Sequence, residues 1–238
     1  EGTPVALVAP ANLFLILKTP EDIHFTALSS TFGQALRLLG LTVSLMLPGF
    51  WIAILSFHQD QLPYYLLATI GINRLGIPLG VAGEMFLALI FLEILREAGI
   101  RLPSAIGSTV TVVGGLILGE AAIRAGFLSP SIVVIGAITQ VFGSTVSNQS
   151  LTGTMSILRF FLFALSATLG IYGYLLALFI VITHLASLRS FGLPYLAPIS
   201  PPYGDFANAL FRLPWRWRKT RPDMLNTQDS TSQGDKQQ

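Results

Sequence analysis

The chain has 238 residues, 52% of them hydrophobic and 11% charged, where a soluble domain carries roughly a quarter charged residues. A soluble globule with a mean hydropathy of +0.67 would have to expose an apolar surface, so the composition points to a membrane. Cysteine is absent, which excludes disulfides and thiolate metal centres. The net charge is only +2, and the uneven spread of the basic residues matters more than their sum.

The chain opens on Glu1-Gly2 without the basic stretch that starts a secretion signal. Val5 to Ala9 reads as a short strand stopped by Pro10. Asn12 to Leu17 reads as a short apolar helix or strand, and Thr19-Pro20-Glu21-Asp22 as a helix-start signal. A lone strand has no sheet to join. Residues 1–30 are therefore expected to be the end of a cytoplasmic domain whose greater part lies upstream.

Residues 31–190 are expected to form an all-α, polytopic transmembrane bundle. Leu38 to Phe57 runs without a charge for the ~20 residues a bilayer core requires. Pro48-Gly49 predicts a kink within it. Ile77 to Leu95 is a second span, interrupted by Glu84 and Glu93. Ala105 to Ile123, with Glu120 near its end, is a third, and Ser131 to Ser147 a fourth. Ile157 to Leu188 is too long for one ordinary span, and Gly170-Ile-Tyr-Gly173 divides it into pieces too short to cross alone. That region reads as one long tilted helix or as a broken, re-entrant pair.

Orientation follows from the basic residues. Arg212, Arg216, Arg218, Lys219 and Arg221 fall close together without an acid, and Trp215 and Trp217 sit between them. Basic residues beside a span stay cytoplasmic and tryptophan favours the headgroup layer. Residues 191–225 are thus a juxtamembrane segment anchored by Trp215, Arg216, Trp217 and Arg218, with the C-terminus cytoplasmic. Next to this much apolar sequence the same pattern is not a nucleic-acid patch. Arg37 and the Arg96–Arg101 turn also read as cytoplasmic, which requires an even number of crossings. Arg124 then falls outside, against the rule. Residues 226–238 are polar, lack apolar periodicity and are expected to be disordered.

The charged groups next to the spans are where function is expected. Glu93, Arg96 and Glu97 recur at i, i+3 and i+4, which predicts one charged helix stripe. With Arg101 they form either a salt-bridge knot fixing a turn or a gating element. Glu84 points elsewhere on that helix and has no local partner. An unpaired buried carboxylate is costly, so Glu84 is a candidate for an ion path, joined by Thr139, Gln140 and Ser144 of the fourth span. Gly107, Gly115 and Gly119 place small residues on one face of the third span and predict close helix packing. The histidines His24, His58 and His184 are scattered. No His-Glu-x-x-His pair, nucleophile elbow or phosphate loop appears. Nothing here implies an enzyme, a metal or a cofactor.

Several stretches resemble one family in the same order. Ser56-Phe-His58-Gln59, Glu93-Ile-Leu-Arg-Glu-Ala-Gly-Ile-Arg-Leu-Pro103, Val113-Gly-Gly-Leu-Ile-Leu-Gly119 and Leu188-Arg-Ser-Phe-Gly-Leu-Pro-Tyr-Leu-Ala-Pro198 look like the membrane domain of the A subunit of GerA-type spore germination receptors. The resemblance runs to about Leu225, and the related stage V sporulation protein AF shares the architecture. It implies an endospore-forming bacterium, a multi-pass protein of the spore inner membrane, and assembly with B-type and C-type subunits and with copies of itself. It further implies a nutrient-gated channel for monovalent cations. A secondary transporter using the Gly170–Gly173 break and a non-conducting scaffold are the alternatives. The sequence departs from the family at Arg74-Leu-Gly-Ile-Pro-Leu-Gly80, where an acid after the arginine is usual, which puts an ionic partner for Arg74 in doubt. Glu120 stands where glutamine is expected.

Overall fold

A computed structural model describes residues 11–19, 22, 24–197 and 199–200. The chain is mostly helical. Helix α1 is Leu13–Ile16, α2 Ala27–Phe57, α3 Tyr64–Asn73, α4 Val81–Arg101, α5 Ser104–Arg124, α6 Pro130–Ser144 and α7 Gln149–Ser187. Two-residue strands, β1 (Arg189–Ser190) and β2 (Leu193–Pro194), close a small antiparallel hairpin. Phe191 and Gly192 both take positive φ at its tip (51° and 84°), the conformation that two-residue hairpin loops favour. Two helical stretches, Ala27–Phe57 and Ser150–Ser187, are long and apolar enough to cross a membrane. The chain divides into two compact units, 40–179 and a second built from 1–39 with 180–238.

In the unit 40–179 the core is apolar and drawn from six helices, α2 to α7. Ile52, Leu55, Ile70, Met85, Leu89, Ile132 and Phe163 form its centre. Helices α4 and α5 make a hairpin across Leu102-Pro103. Pro103 stands just before α5, where its missing N–H leaves no intrahelical bond unmade. Gly107 of α5 meets the backbone carbonyl of Gly99, so these two helices touch main chain to main chain. On α6, Gly136 admits Leu92 of α4, whose Cδ1 lies 3.0 Å from where a Cβ would stand. The outer side of α5 (Val112, Leu116, Ile117) is exposed and apolar.

Helix α7 is broken at Gly170, whose φ of 64° and ψ of −141° are non-helical. Gly173 then packs on the carbonyl of Leu165. In a straight helix residues eight apart are about 12 Å apart along the axis, so the chain must reverse at Gly170. The reversal is corroborated by α2: Gly49 lies against Leu162 and Ser166, Phe57 against Gly170, and the Phe50 ring meets that of Tyr174 at a tilt, 5.7 Å between centroids. The expected long or broken helix is thus a helical hairpin. Its arms, 149–169 and 171–187, rise about 31 and 25 Å at 1.5 Å per residue. The first arm begins at Gln149 and not at Ile157, which gives it a membrane-scale length.

In the other unit the first described element is a short helix. Leu13 to Ile16 is helix, with the Asn12 side chain accepting from Leu15 N at 2.7 Å. The strand expected over Val5–Ala9 lies outside the described residues, as do the Trp215–Arg218 anchor and the tail. Leu13 N donates to the Tyr195 carbonyl at 3.0 Å and Asn12 Nδ2 to that of Ala197 at 3.3 Å. Arg37 clamps Asp22 with two bonds of 2.7 and 2.9 Å and also donates to Leu17 O and Thr19 Oγ1.

Elsewhere helices stand where the other spans were expected, with shifted ends. The first helix starts at Ala27, eleven residues before Leu38. The second starts at Val81, because Gly76 (φ 89°) and Pro78 end the preceding turn. Helix α3, ten residues long, was not expected at all.

Two outcomes are expected. Gly170→Ala should destabilise the full-length protein by about 1–3 kcal/mol, because a side chain disfavours that backbone conformation and would meet Phe57. Thermal unfolding in detergent measures it, and an unchanged midpoint would rule out the strained reversal. The Arg37 guanidinium holds the Asp22 carboxyl at about 2, below its ordinary 3.8, outweighing burial, which pushes it up. The stabilisation is therefore complete above pH ~4 and is lost as pH falls towards 2. Asp22→Asn should flatten that acid limb.

Candidate functional site

Helix α4 carries Glu93 and Arg96 one turn apart, and the first arm of α7 carries Ser156 and Arg159 in the same relation. Where the helices meet, Glu93 is shared. Its Oε1 accepts from Arg96 Nη2, and its Oε2 accepts from Ser156 Oγ at 2.9 Å and Arg159 Nη2 at 3.0 Å. Arg159 Nη2 also donates to Ser156 Oγ at 3.2 Å. The Arg159 side chain is 7% exposed and that of Arg96 15%. Two guanidiniums therefore share one carboxylate.

Glu97 and Arg101 do not belong to this group. They form a separate pair of 2.8 Å on the exposed face, with side chains 51% and 77% exposed. The expected single charged stripe is thus two sites, because Glu93 turns towards α7 and Glu97 away from it. Exposed pairs of this kind contribute about 0–1 kcal/mol. Glu120 and Arg124 make another exposed pair, at 2.6 Å.

Glu84, expected to lack a partner, is fully buried and has two. Arg74 Nε donates to its Oε1 at 2.9 Å and the Ser129 amide to its Oε2 at 2.8 Å. Arg74 also donates to the Leu79 carbonyl at 3.3 Å. The carboxylate sits in the first turn of α4, where the helix dipole favours a negative charge. Arg74 caps α3 and Ser129 precedes α6, so one carboxylate ties the starts or ends of three helices. This pair answers the doubt raised by the missing acid near Arg74.

Thr139 is buried with its hydroxyl donating to Ile135 O at 2.8 Å. Ser144 donates to Val141 O at 2.7 Å and is exposed. Gln140 and Ser144 border a cavity of about 320 Å³ that Arg96, Arg159, Ser147 and Thr152 also line. Thr139 and Glu84 do not reach it. Gly107 meets α4, as described. Gly115 faces Leu95 of α4 and Gly119 faces Val133 of α6, so these glycines pack inside the chain. Among the described residues no group of three or more histidine, aspartate or glutamate side chains is placed to hold a metal ion.

Arg159 is the residue that sequence reasoning passed over. It is the one Asp, Glu, Lys or Arg in the 39 residues of α7. A lone charge in such a run demands a partner on another helix, and Glu93 was the signal's counterpart.

Fold and site define a mostly helical protein with membrane-length apolar helices, held together by charges shared between helices. The family model described as Bacillus/Clostridium GerA spore germination protein matches residues 1–224. The chain is 46% identical to spore germination protein XA of Bacillus anthracis, across 98% of this chain and 48% of that protein. It is 36% identical to spore germination protein KA of Bacillus subtilis, across 98% and 43%. To an uncharacterized membrane protein of Bacillus subtilis it is 37% identical, across 93% and 43%. It spans about half the length of these relatives. No solved structure matches it. The chain belongs to the GerA family of spore germination proteins.

The shared carboxylate predicts strong coupling. Glu93→Leu should cost about 3–5 kcal/mol, because it leaves the buried Arg159 and the partly buried Arg96 without a carboxylate. Adding Arg159→Leu should recover about 0.5–3 kcal/mol relative to the sum of the single losses. Thermal unfolding of the full-length protein provides the cycle, and simple additivity would show that the two charges act independently.

Proposed function

We propose that this chain is the membrane part of an A-type germination receptor subunit, an ion-conducting component of the spore inner membrane gated by nutrients. It works with B-type and C-type subunits and with further copies of itself. Membership of the GerA family along nearly the whole chain supports the receptor assignment. The observation that carries the gating reading is the shared Glu93, which joins α4 to α7 through buried charge.

In this reading α2, α4, α5, α6 and the two arms of α7 make six crossings. An even number leaves both ends on one side, consistent with a cytoplasmic Arg212–Arg221 segment. Conduction runs where copies meet, along α5 and α6, since Glu84 and Thr139 are sealed within one chain. The transporter alternative needs a helix broken at mid-membrane. Gly170 instead packs on Phe57, the last residue of α2, which favours a turn at the helix ends.

Potassium efflux from liposomes holding the full-length receptor with its partner subunits tests the proposal. Wild type should release the ion only when nutrient is added. Arg96→Glu should change the nutrient dependence by roughly 5–150-fold, the range of ordinary coupling energies, with the complex still assembled. Absent flux in wild type would sink conduction, and loss of assembly in the variant would reduce the cluster to a structural role.

A further inference from the structure

The cavity beside Glu93 is walled by the ends of α4 and α6 and the start of α7, with Ser44 of α2 behind it. Its charge does not balance. Arg96 and Arg159 both line it, and each brings a guanidinium cation. Glu93 is the one carboxylate in ion-pair contact with either among the described residues. One positive charge is left over in a place where Arg159 is 94% buried, reading from its 6% exposure. Burying an ion costs several kcal/mol unless another charge or enough hydrogen bonds answer it.

The donors are also under-used. A guanidinium offers five N–H groups, yet the bonds here engage only the Nη2 of each arginine. Both Nε atoms are buried without an acceptor. Around the cavity, the hydroxyls of Ser44, Ser144 and Thr152 donate to carbonyls of their own helices or of the residue just before them. They present lone pairs that an anion does not want, so the useful donors are the guanidiniums, the Gln140 amide and the Ser147 hydroxyl. At about 320 Å³ the space is of the order that holds a small ligand group.

We propose that this cavity binds a small oxyanion, a carboxylate or phosphate group, between the Arg96 and Arg159 guanidiniums, with Gln140 and Ser147 as further donors. The fork geometry of guanidinium suits both groups. The ligand supplies the missing negative charge and completes the bridge from α4 to α7. This site is independent of whether the protein conducts ions.

The test is thermal unfolding of the purified full-length protein at constant ionic strength, replacing chloride with phosphate or with acetate. A parallel arm compares nanodiscs of phosphatidylglycerol with nanodiscs of phosphatidylcholine. Two variants accompany wild type, Ser147→Phe to fill the cavity and Gln140→Leu to remove a donor, each read against its own baseline in chloride. A saturable rise of roughly 2–4 °C in phosphate or acetate, blunted in both variants, establishes a soluble oxyanion as the ligand. A rise confined to phosphatidylglycerol and blunted likewise assigns the site to a lipid headgroup phosphate. No gain over chloride and phosphatidylcholine, or an equal gain in both variants, overturns the proposal.

Discussion

The structure of residues 40–179 depends on an electrostatic constraint that apolar packing cannot relax. A guanidinium in a low-dielectric interior cannot shed its proton, so Arg159 must meet an anion or leave the interior. Among the described residues the one in contact is Glu93. Hydrophobic contacts between α4 and the first arm of α7 tolerate sliding, since one apolar side chain replaces another at similar energy. Bonds of 2.9 and 3.0 Å to a single carboxylate oxygen do not. They fix the register of the two helices, and the rest follows. Helix α5 is held against α4 through Gly99 and Gly107, and α6 through Leu92 and Gly136.

The fully buried carboxylate, Glu84, shows what Glu93 is not. Glu84 has one arginine and one backbone amide, so its charge is matched and its lone pairs are used. Such a site has a single favourable arrangement and serves as a pin for α3, α4 and α6. Glu93 divides itself between two cations. A matched pair resists displacement in every direction, whereas a shared carboxylate loses only part of its stabilisation when one arginine moves off. The same helix, α4, thus carries a matched pair at its start and a carboxylate shared between two cations near its end.

The helices were legible in the sequence wherever an apolar run met a clear breaker. Pro103 and the Gly126–Pro130 stretch bracket α5 and α6, and the expected ends lie within a few residues of the observed ones. Gly170 was visible as a break but its meaning was not. The arm before it looked too short because the apolar run was counted from Ile157, leaving out the hydroxyl-rich Gln149–Ser156. Those hydroxyls are satisfied by carbonyls one turn back, as at Thr152 and Thr154. Helix α3 was missed because ten residues after Pro63 are too few for a span and too apolar for a loop. The site was harder still. Rules for pairs at i, i+3 and i+4 find Glu97–Arg101 and Glu120–Arg124, which are exposed and weak. They miss Arg74–Glu84, ten residues apart around a turn, and Arg159–Glu93, separated by 66 residues. Both strong pairs are tertiary, so no local window contains them.

That distribution bears on how a protein of this family converts a signal into movement. A coupling element must join parts that can shift and must have more than one arrangement of similar energy. Exposed pairs such as Glu97–Arg101 fail the first condition, because both partners stand on one helix. The pin at Glu84 fails the second, since its carboxylate is matched by one arginine and one amide. The proposed gating role asks both of the group of Glu93, Arg96 and Arg159. It lies where the α4–α5 hairpin and the α7 hairpin meet, and its odd positive charge leaves one cation always short of a partner. Whatever supplies that missing negative charge weights the arrangements differently, and this gives residues 93–159 a physical reason to respond to their surroundings.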